Sequence, residues 1–386
     1  MKVALSTIGK FHTFDLAREL CAHGVLRAVF TGYPRFKLRA ERLPAELIHT
    51  FPWVHAPYMG FAYRRSLGDR ITRQWEYLDR VTLDRYVSRR LPDCDVFVGL
   101  SGSALRSGRT AQARGAKYVC DRGSSHIGAQ DQLIREEHDR WGLPFDGIDS
   151  RVIDLEENEY AQADCITVPS KFAVRTFIAA GVPQRKLRRL PYGVDLSRFE
   201  PLEPPDPARF DILFVGSMSF RKGVPYLIQA YRKLVHSSKS LTFVGSAPPE
   251  MIVQLKECGA WDNDVRVVGP VPQSALKHIM SKSHVMVLPS VEDGFGMVLA
   301  QAMACGCPVI GSCNTGTEDL LSEDGREGFV VPIRDSDAIA QRLQQLADDP
   351  TLRARMSEAA VARVKQLGGW RDYGNQALAT YGALLA

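Results

Sequence analysis

Short apolar runs alternate with longer amphipathic stretches along the whole chain. In the first half the pattern predicts strands at Lys2–Ser6, Leu26–Thr31, Val96–Leu100, Lys117–Cys120, Cys165–Pro169 and Lys186–Leu190. Several are nearly continuous in apolar residues, as strands covered on both faces are, whereas charged residues fill most of the last. Between them the pattern predicts helices at Phe14–Ala22, Ile71–Arg89, Ser103–Arg114, Gln130–Arg140, Ser150–Ala163 and Lys171–Ala180. Four prolines within 200–207 then exclude both a helix and a central strand, so this is a stiff linker. The alternation restarts with strands at Asp211–Val215, Leu241–Gly245, Val265–Val268, Val285–Leu288, Pro308–Gly311 and Gly328–Val331. Helices are predicted at Val224–Val235, Glu250–Glu257, Gln273–Ser281, Gly296–Cys305, Asp335–Ala347, Thr351–Gln366 and Trp370–Leu385. The class is α/β: two doubly wound, Rossmann-like domains facing a central cleft. The limits are 1–198, a Pro-rich linker at 199–209, a second domain at 210–368 and a final helix at 369–386. Ligands in such sheets lie outside the carboxyl ends of the strands, so two facing domains give two half-sites.

Candidate chemistry gathers at those strand ends. After Val285–Leu288 comes Ser290-Val-Glu-Asp-Gly-Phe-Gly296 and then a helix. A strand, a glycine turn and a helix start aim free N–H groups and the positive end of the helix dipole at one spot. Glu292 and Asp293 stand at its mouth. A similar strand, loop and helix start places Arg221 and Lys222 beside Gly223, either as a diphosphate clamp or as a solvated basic pair. In the first domain, Lys117–Cys120 runs into Asp121-Arg122-Gly123-Ser-Ser-His126. His126 is a candidate for bonding a sugar hydroxyl or orienting the reacting group, against a structural loop histidine. Gly9, after the first strand, lets backbone approach a phosphate. Neither Gly-x-Gly-x-x-Gly nor a P-loop is present. The pairs Asp93/Asp95, Asp262/Asp264 and Asp335/Asp337 precede strands or helices, away from the expected cleft, and are taken as turn and cap residues.

Composition narrows the picture. The 386 residues carry a net charge of +5, too mild to imply nucleic acid. No apolar run is long enough to span a membrane, and the start of the chain is taken as a first strand rather than a signal peptide. Eight scattered cysteines suggest reduced, buried thiols in a cytoplasmic protein. Cys305, Cys307 and Cys313 have poor zinc spacing, and no metal site is expected. Residues 33–90 hold twelve Lys/Arg against six acids, around the aromatic Phe51-Pro-Trp-Val-His-Ala-Pro-Tyr58. Such a patch either meets an anionic membrane or acceptor, or is a solvated helix face beside a packed loop.

The ordered series Pro169-Ser170, Pro191-Tyr-Gly-Val-Asp195 with Phe199, Gly216 to Gly223, Val268-Gly-Pro-Val271, Pro289-Ser290, Gly294-Phe-Gly296, Ala302-Met-Ala-Cys-Gly306, Pro308-Val309 and Gly328 to Pro332 resembles the retaining glycosyltransferases of family 4, with the GT-B fold. The resemblance implies a first domain that binds acceptor, a second that binds a nucleotide sugar, and a final helix crossing back to the first. It implies transfer of a sugar from a nucleotide-diphosphate sugar, with retained configuration and no metal, to a glycan or lipid-linked acceptor. The nucleotide sugar is a co-substrate, and no cofactor is expected. By resemblance Asp293, with Glu292 before it, and His126 serve catalysis. Arg221, Lys222, Gly9, Gly296, Met297 and Val298 hold the diphosphate, Phe295 and Gln301 the sugar and ribose, and Gly269 and Val271 flank the base. Asp293 and Gln301 stand where the family carries two glutamates, and Ser217 where many members carry Arg. The basic, aromatic patch and the scattered cysteines extend the expectation to a cytoplasmic enzyme of surface-polysaccharide synthesis, in contact with the inner membrane face. Alternatives on the same fold are an epimerase or phosphorylase, or a sugar-nucleotide binder acting as a partner subunit. The chain offers no extra acid/base set for epimerisation and no lysine in a pyridoxal-phosphate context.

Overall fold

A computed structural model of the chain describes residues 1–61 and 68–386. Arg64 and Arg65 of the basic stretch lie outside the described residues. The first domain runs β1 (Val3–Thr7), α1 (Thr13–Ala22), β2 (Leu26–Thr31), β3 (Ile48–Thr50), α2 (Pro52–Gly60), α3 (Asp69–Arg90), β4 (Val96–Leu100), α4 (Leu105–Ala113), β5 (Lys117–Asp121), α5 (Ile127–Arg140), α6 (Ser150–Gln162), β6 (Cys165–Val168), α7 (Lys171–Ala179) and β7 (Leu187–Arg189). The second runs β8 (Phe210–Val215), α8 (Val224–Lys233), β9 (Lys239–Val244), α9 (Pro249–Glu257), β10 (Val265–Gly269), α10 (Gln273–Ser281), β11 (Val285–Leu288), α11 (Met297–Ala304), β12 (Val309–Ser312), α12 (Thr317–Leu320), β13 (Gly328–Val331), α13 (Ser336–Asp348), α14 (Pro350–Leu367) and α15 (Trp370–Leu385).

Both sheets are parallel throughout. Their orders are β3-β2-β1-β4-β5-β6-β7 and β10-β9-β8-β11-β12-β13. Each order reverses once, between β1 and β4 and between β8 and β11, and a crevice opens where loops leave a sheet in opposite directions. Central strands such as β1, β6, β11 and β12 are buried at every position, because helices cover both faces. The charged residues of β7 are explained by its place at the sheet edge, where Arg188 and Arg189 are exposed.

α15 packs on α1, and its Tyr373, Ala377 and Tyr381 lie in the same core as Val3, Leu5 and Phe14. The chain therefore returns to its first domain. Three elements depart from the sequence pattern. β3 is a three-residue edge strand, α2 begins on Pro52 and contains Pro57, and α12 is only four residues long. The helix expected from Gly296 begins at Met297, because Gly296 is its cap in the left-handed region at φ 72°.

Two of the Asp pairs supply a cap and a turn, while the third ties distant parts of the chain together. Asp335 accepts from Ala338 N at 2.8 Å, Asp262 from Asp264 N at 2.9 Å, and Asp95 from Lys2 N at 2.6 Å. All eight cysteines are free thiols, and Cys120, Cys165, Cys305 and Cys307 are buried. Among the described residues no helix is long and apolar enough to cross a membrane, and no cluster of His, Cys, Asp and Glu suits a metal ion.

Candidate active site

The two switch points face each other across one cavity of about 680 Å³, within the range of small-ligand sites. Its first-domain wall comes from the carboxyl ends of β1, β4 and β5: Ile8, Phe11 and His12, then Leu100 and Ser101, then Arg122, Gly123 and Ser124. Asp15 of α1, Arg80 of α3, Glu156 of α6 and Tyr192 complete that wall. The second-domain wall follows β8 (Val215, Gly216, Ser217, Lys222) and β11 (Leu288, Asp293, Phe295) and ends on Gly296, Met297 and Val298 at the start of α11.

On the second wall, Lys222 Nζ donates to Asp293 Oδ2 at 2.5 Å. Burial pushes the Asp293 carboxyl up, but Lys222 and then Arg221 outweigh it and hold the acid below its ordinary value. Asp293 also accepts from Phe295 N at 3.4 Å, which tightens the turn into Gly296. The positive end of α11 and the Lys222 ammonium thus face the same space, an arrangement suited to an anion.

On the first wall, His12 Nε2 is 2.6 Å from Asp121 Oδ2, and Thr167 Oγ1 donates to Asp121 Oδ1 at 2.8 Å. The Tyr192 ring lies against His12 with centroids 4.3 Å apart and meets Phe295 edge-on at 5.4 Å. One tyrosine therefore connects the histidine of one domain to the glycine turn of the other. Arg122 is buried beside Glu156 at 2.7 Å and donates to Gln130 Oε1 at 2.8 Å. Burial works against its charge, but Glu156, Tyr160 and Glu292 together outweigh it and hold the guanidinium above its ordinary value.

Of the residues expected from the sequence, Lys222, Asp293, Phe295, Gly296, Met297 and Val298 meet in this cavity. Arg221 lies just behind it, with its guanidinium 3.2 Å from Glu292 Oε2. Gln301 lies on α11 beyond the helix start, Gly269 ends the edge strand β10 and Val271 follows it; none of these three lines the cavity. Three expectations need correction. His126 caps α5, with its side chain accepting from Gly128 N at 3.2 Å, and packs against Tyr160 and Phe177, both 5.1 Å away. It lines a different groove, beside Glu157 and Lys186. Burial, then Arg122, pushes it down to about 4. Gly9 does not line the cavity either; its carbonyl accepts from Thr31 Oγ1 at 2.9 Å. Glu292 is fully buried between the domains and offers no face to the cavity.

Sequence reasoning passed over His12, Arg122 and Tyr192 as cavity residues, although each lies in a segment it singled out. For Arg122 the available signal was a polar side chain immediately after an apolar strand; His12 and Tyr192 stand several residues beyond their strands. Glu156 gave none, since it sits in an ordinary amphipathic helix.

Two parallel Rossmann-like domains meeting at their switch points define the GT-B fold. Sucrose-phosphate synthase from Thermosynechococcus elongatus superposes with a TM-score of 0.74 at 21% identity, covering 100% of this chain and 99% of that one. Anabaena HepE in complex with UDP-glucose superposes with a TM-score of 0.71 at 18% identity, covering 99% of this chain and 100% of that one. Residues 209–349 match the family described as glycosyl transferases group 1. The chain is 29% identical over 174 residues to O-antigen chain mannosyltransferase B of Escherichia coli, 44% of this chain and 45% of that one. It is 32% identical over 199 residues to D-inositol 3-phosphate glycosyltransferase of Streptomyces avermitilis, 46% of this chain and 42% of that one. These matches span less than half the length of either relative. A longer one, at 26% identity to the enzyme so named in Frankia alni, covers 67% of this chain and 72% of that one.

Proposed function

We propose that the chain transfers a sugar from a nucleotide-diphosphate sugar to a glycan or lipid-linked acceptor, with retention and without a metal. The observation that carries this reading is the Lys222–Asp293 pair at the start of α11, facing a first-domain wall across one cavity. Lys222 and the N–H groups of Gly296 to Val298 would hold the diphosphate and stabilise the charge it gains on leaving. Asp293 would face the sugar, where positive charge develops on the ring. His12, held by Asp121 and Tyr192, would orient the sugar from the opposite wall in the part first given to His126. The relatives support a nucleotide-sugar donor, since HepE is described with UDP and with UDP-glucose.

The acceptor side is the first domain. Phe11, Phe36 and Trp53 follow the carboxyl ends of the adjacent strands β1, β2 and β3 and are 59%, 65% and 78% exposed. With the exposed Arg35, Lys37, Arg39 and Arg42 they would rest on an anionic membrane at the cytoplasmic face, bringing a lipid-linked acceptor to the cleft. The test is hydrolysis and transfer with a panel of nucleotide sugars, UDP-glucose and GDP-mannose among them. An α-donor should release the α-sugar first, by proton NMR, with EDTA leaving the rate unchanged. First release of the β-sugar, or loss of turnover in EDTA, would contradict the proposed chemistry.

A further inference from the structure

Glu292 stands one residue before the cavity acid Asp293, yet its carboxylate turns the other way. It is 0% exposed. Its Oε1 accepts from Ser124 Oγ at 2.6 Å, Ser125 Oγ at 2.7 Å and Ser125 N at 3.3 Å, all of the first domain. Its Oε2 accepts from Gln130 Nε2 of the same domain at 3.0 Å and from Arg221 of its own domain at 3.2 Å. Four of these five donors belong to the opposite domain. Burial pushes the carboxyl up, but Arg221, Ser124 and Ser125 outweigh it and keep it below its ordinary value. The backbones also touch here: a Cβ on Gly294 would lie 2.0 Å from Gly123 O. On its own side Glu292 is tied to the phosphate-side loop, since Val291 N donates to Arg221 O at 2.9 Å. One buried carboxylate therefore joins the loop and helix start at 123–130 of the first domain, the Arg221–Lys222 loop and the Asp293 turn.

We infer that Glu292 is a positioning residue, an interdomain latch that couples closure of the two domains to the placement of Asp293 and Lys222. The function of the coupling rests on the proposed sugar transfer; the latch itself does not. Hydrogen bonds to a charged acceptor are worth more than neutral ones even when water replaces the lost donors. Opening the domains would strip four donors from Glu292 at once, so the closed state is favoured as a unit. Each closure then sets the Asp293 turn against Gly123 in one register. This is a part that a residue touching the sugar cannot play, because every lone-pair direction of Glu292 is already spoken for.

The experiment compares the wild-type chain, Ser125→Ala, Glu292→Gln and the double variant. Ser125 lies outside the cavity lining, so its loss removes one latch donor and no lining group. Hydrogen exchange without ligand should accelerate by about tenfold or more at both 123–130 and 291–296 in each single variant. The double variant should go no further than Glu292→Gln alone, because both changes cut one connection. Faster exchange at 291–296 alone, or fully additive effects, would overturn the latch. In turnover of whichever nucleotide sugar the wild type accepts, both variants should raise KM as the closed population falls and keep kcat at saturation within about twofold. Lost kcat with unchanged KM and unchanged exchange would instead make Glu292 a catalytic residue. If the wild type turns over no nucleotide sugar, the proposed transfer fails while the exchange result still decides the latch.

Discussion

His12 and Asp121, 109 positions apart in sequence, are joined by a 2.6 Å hydrogen bond at the carboxyl ends of neighbouring parts of one sheet. The pair supplies an oriented imidazole to the first-domain wall, because Asp121 fixes which ring nitrogen carries the proton. His12→Ala should lower turnover of the accepted donor about 10- to 100-fold, the loss expected for a hydrogen bond to a charged or polarised group. His126→Asn should keep turnover per folded molecule near that of the wild type. Steady-state kinetics on both variants decides between the two histidines, and a reversed ranking would return the role to His126.

His126 also makes a pH prediction. It is held at about 4 against an ordinary 6.5, first by burial and then by Arg122. Between those values the unfolded chain binds more protons than the folded one. The contribution is therefore fully present above about pH 6.5 and is lost as pH falls toward 4. The melting temperature of the wild type should fall through this window more steeply than that of His126→Asn. Parallel slopes would show that the folded imidazole titrates normally.

Gly294 has no room for a side chain, since a Cβ would lie 2.0 Å from Gly123 O across the domain boundary. Gly294→Ala should hold the domains apart, raise the radius of gyration in small-angle scattering and cost about 100-fold in turnover by misplacing the Asp293 turn. An unchanged radius with normal turnover would mean that the two loops can separate without consequence.

Much of this fold was legible because buried parallel strands announce themselves. Val285–Leu288, Gly328–Val331, Gln273–Ser281 and Trp370–Leu385 have the bounds that their patterns predict. β3 and α2 were not legible, since three residues carry no periodicity and Pro57 masks a helix. Half of the cavity was legible for a local reason: Lys222 and Asp293 each stand beside a glycine at a helix start. The other half depends on pairs distant in sequence, such as His12 with Asp121 and Arg122 with Glu156, which only the folded sheet assembles. Glu292 and Asp293 are adjacent and chemically alike, so no local pattern told which would face the cavity.

Tyr381 is 1% exposed in the core shared by α15 and the first domain. Tyr381→Ala should cost about 3–5 kcal/mol, as aromatic truncations in well-packed cores do. Denaturant melts read this directly. A cost below about 1 kcal/mol, the level of an ordinary surface change, would show that α15 adds little to the first domain.

The central claim is that this cavity takes a nucleotide-diphosphate sugar through Lys222. The most direct measurement is thermal stabilisation by a panel of nucleotide sugars, run in parallel on the wild type and Lys222→Ala. A ligand bound only by the folded state raises the melting temperature. At least one member should stabilise the wild type, and Lys222→Ala should lose about 1.5–3 kcal/mol of that binding, the worth of a hydrogen bond to a charged group. No stabilisation by any member, or equal stabilisation of both proteins, would contradict it.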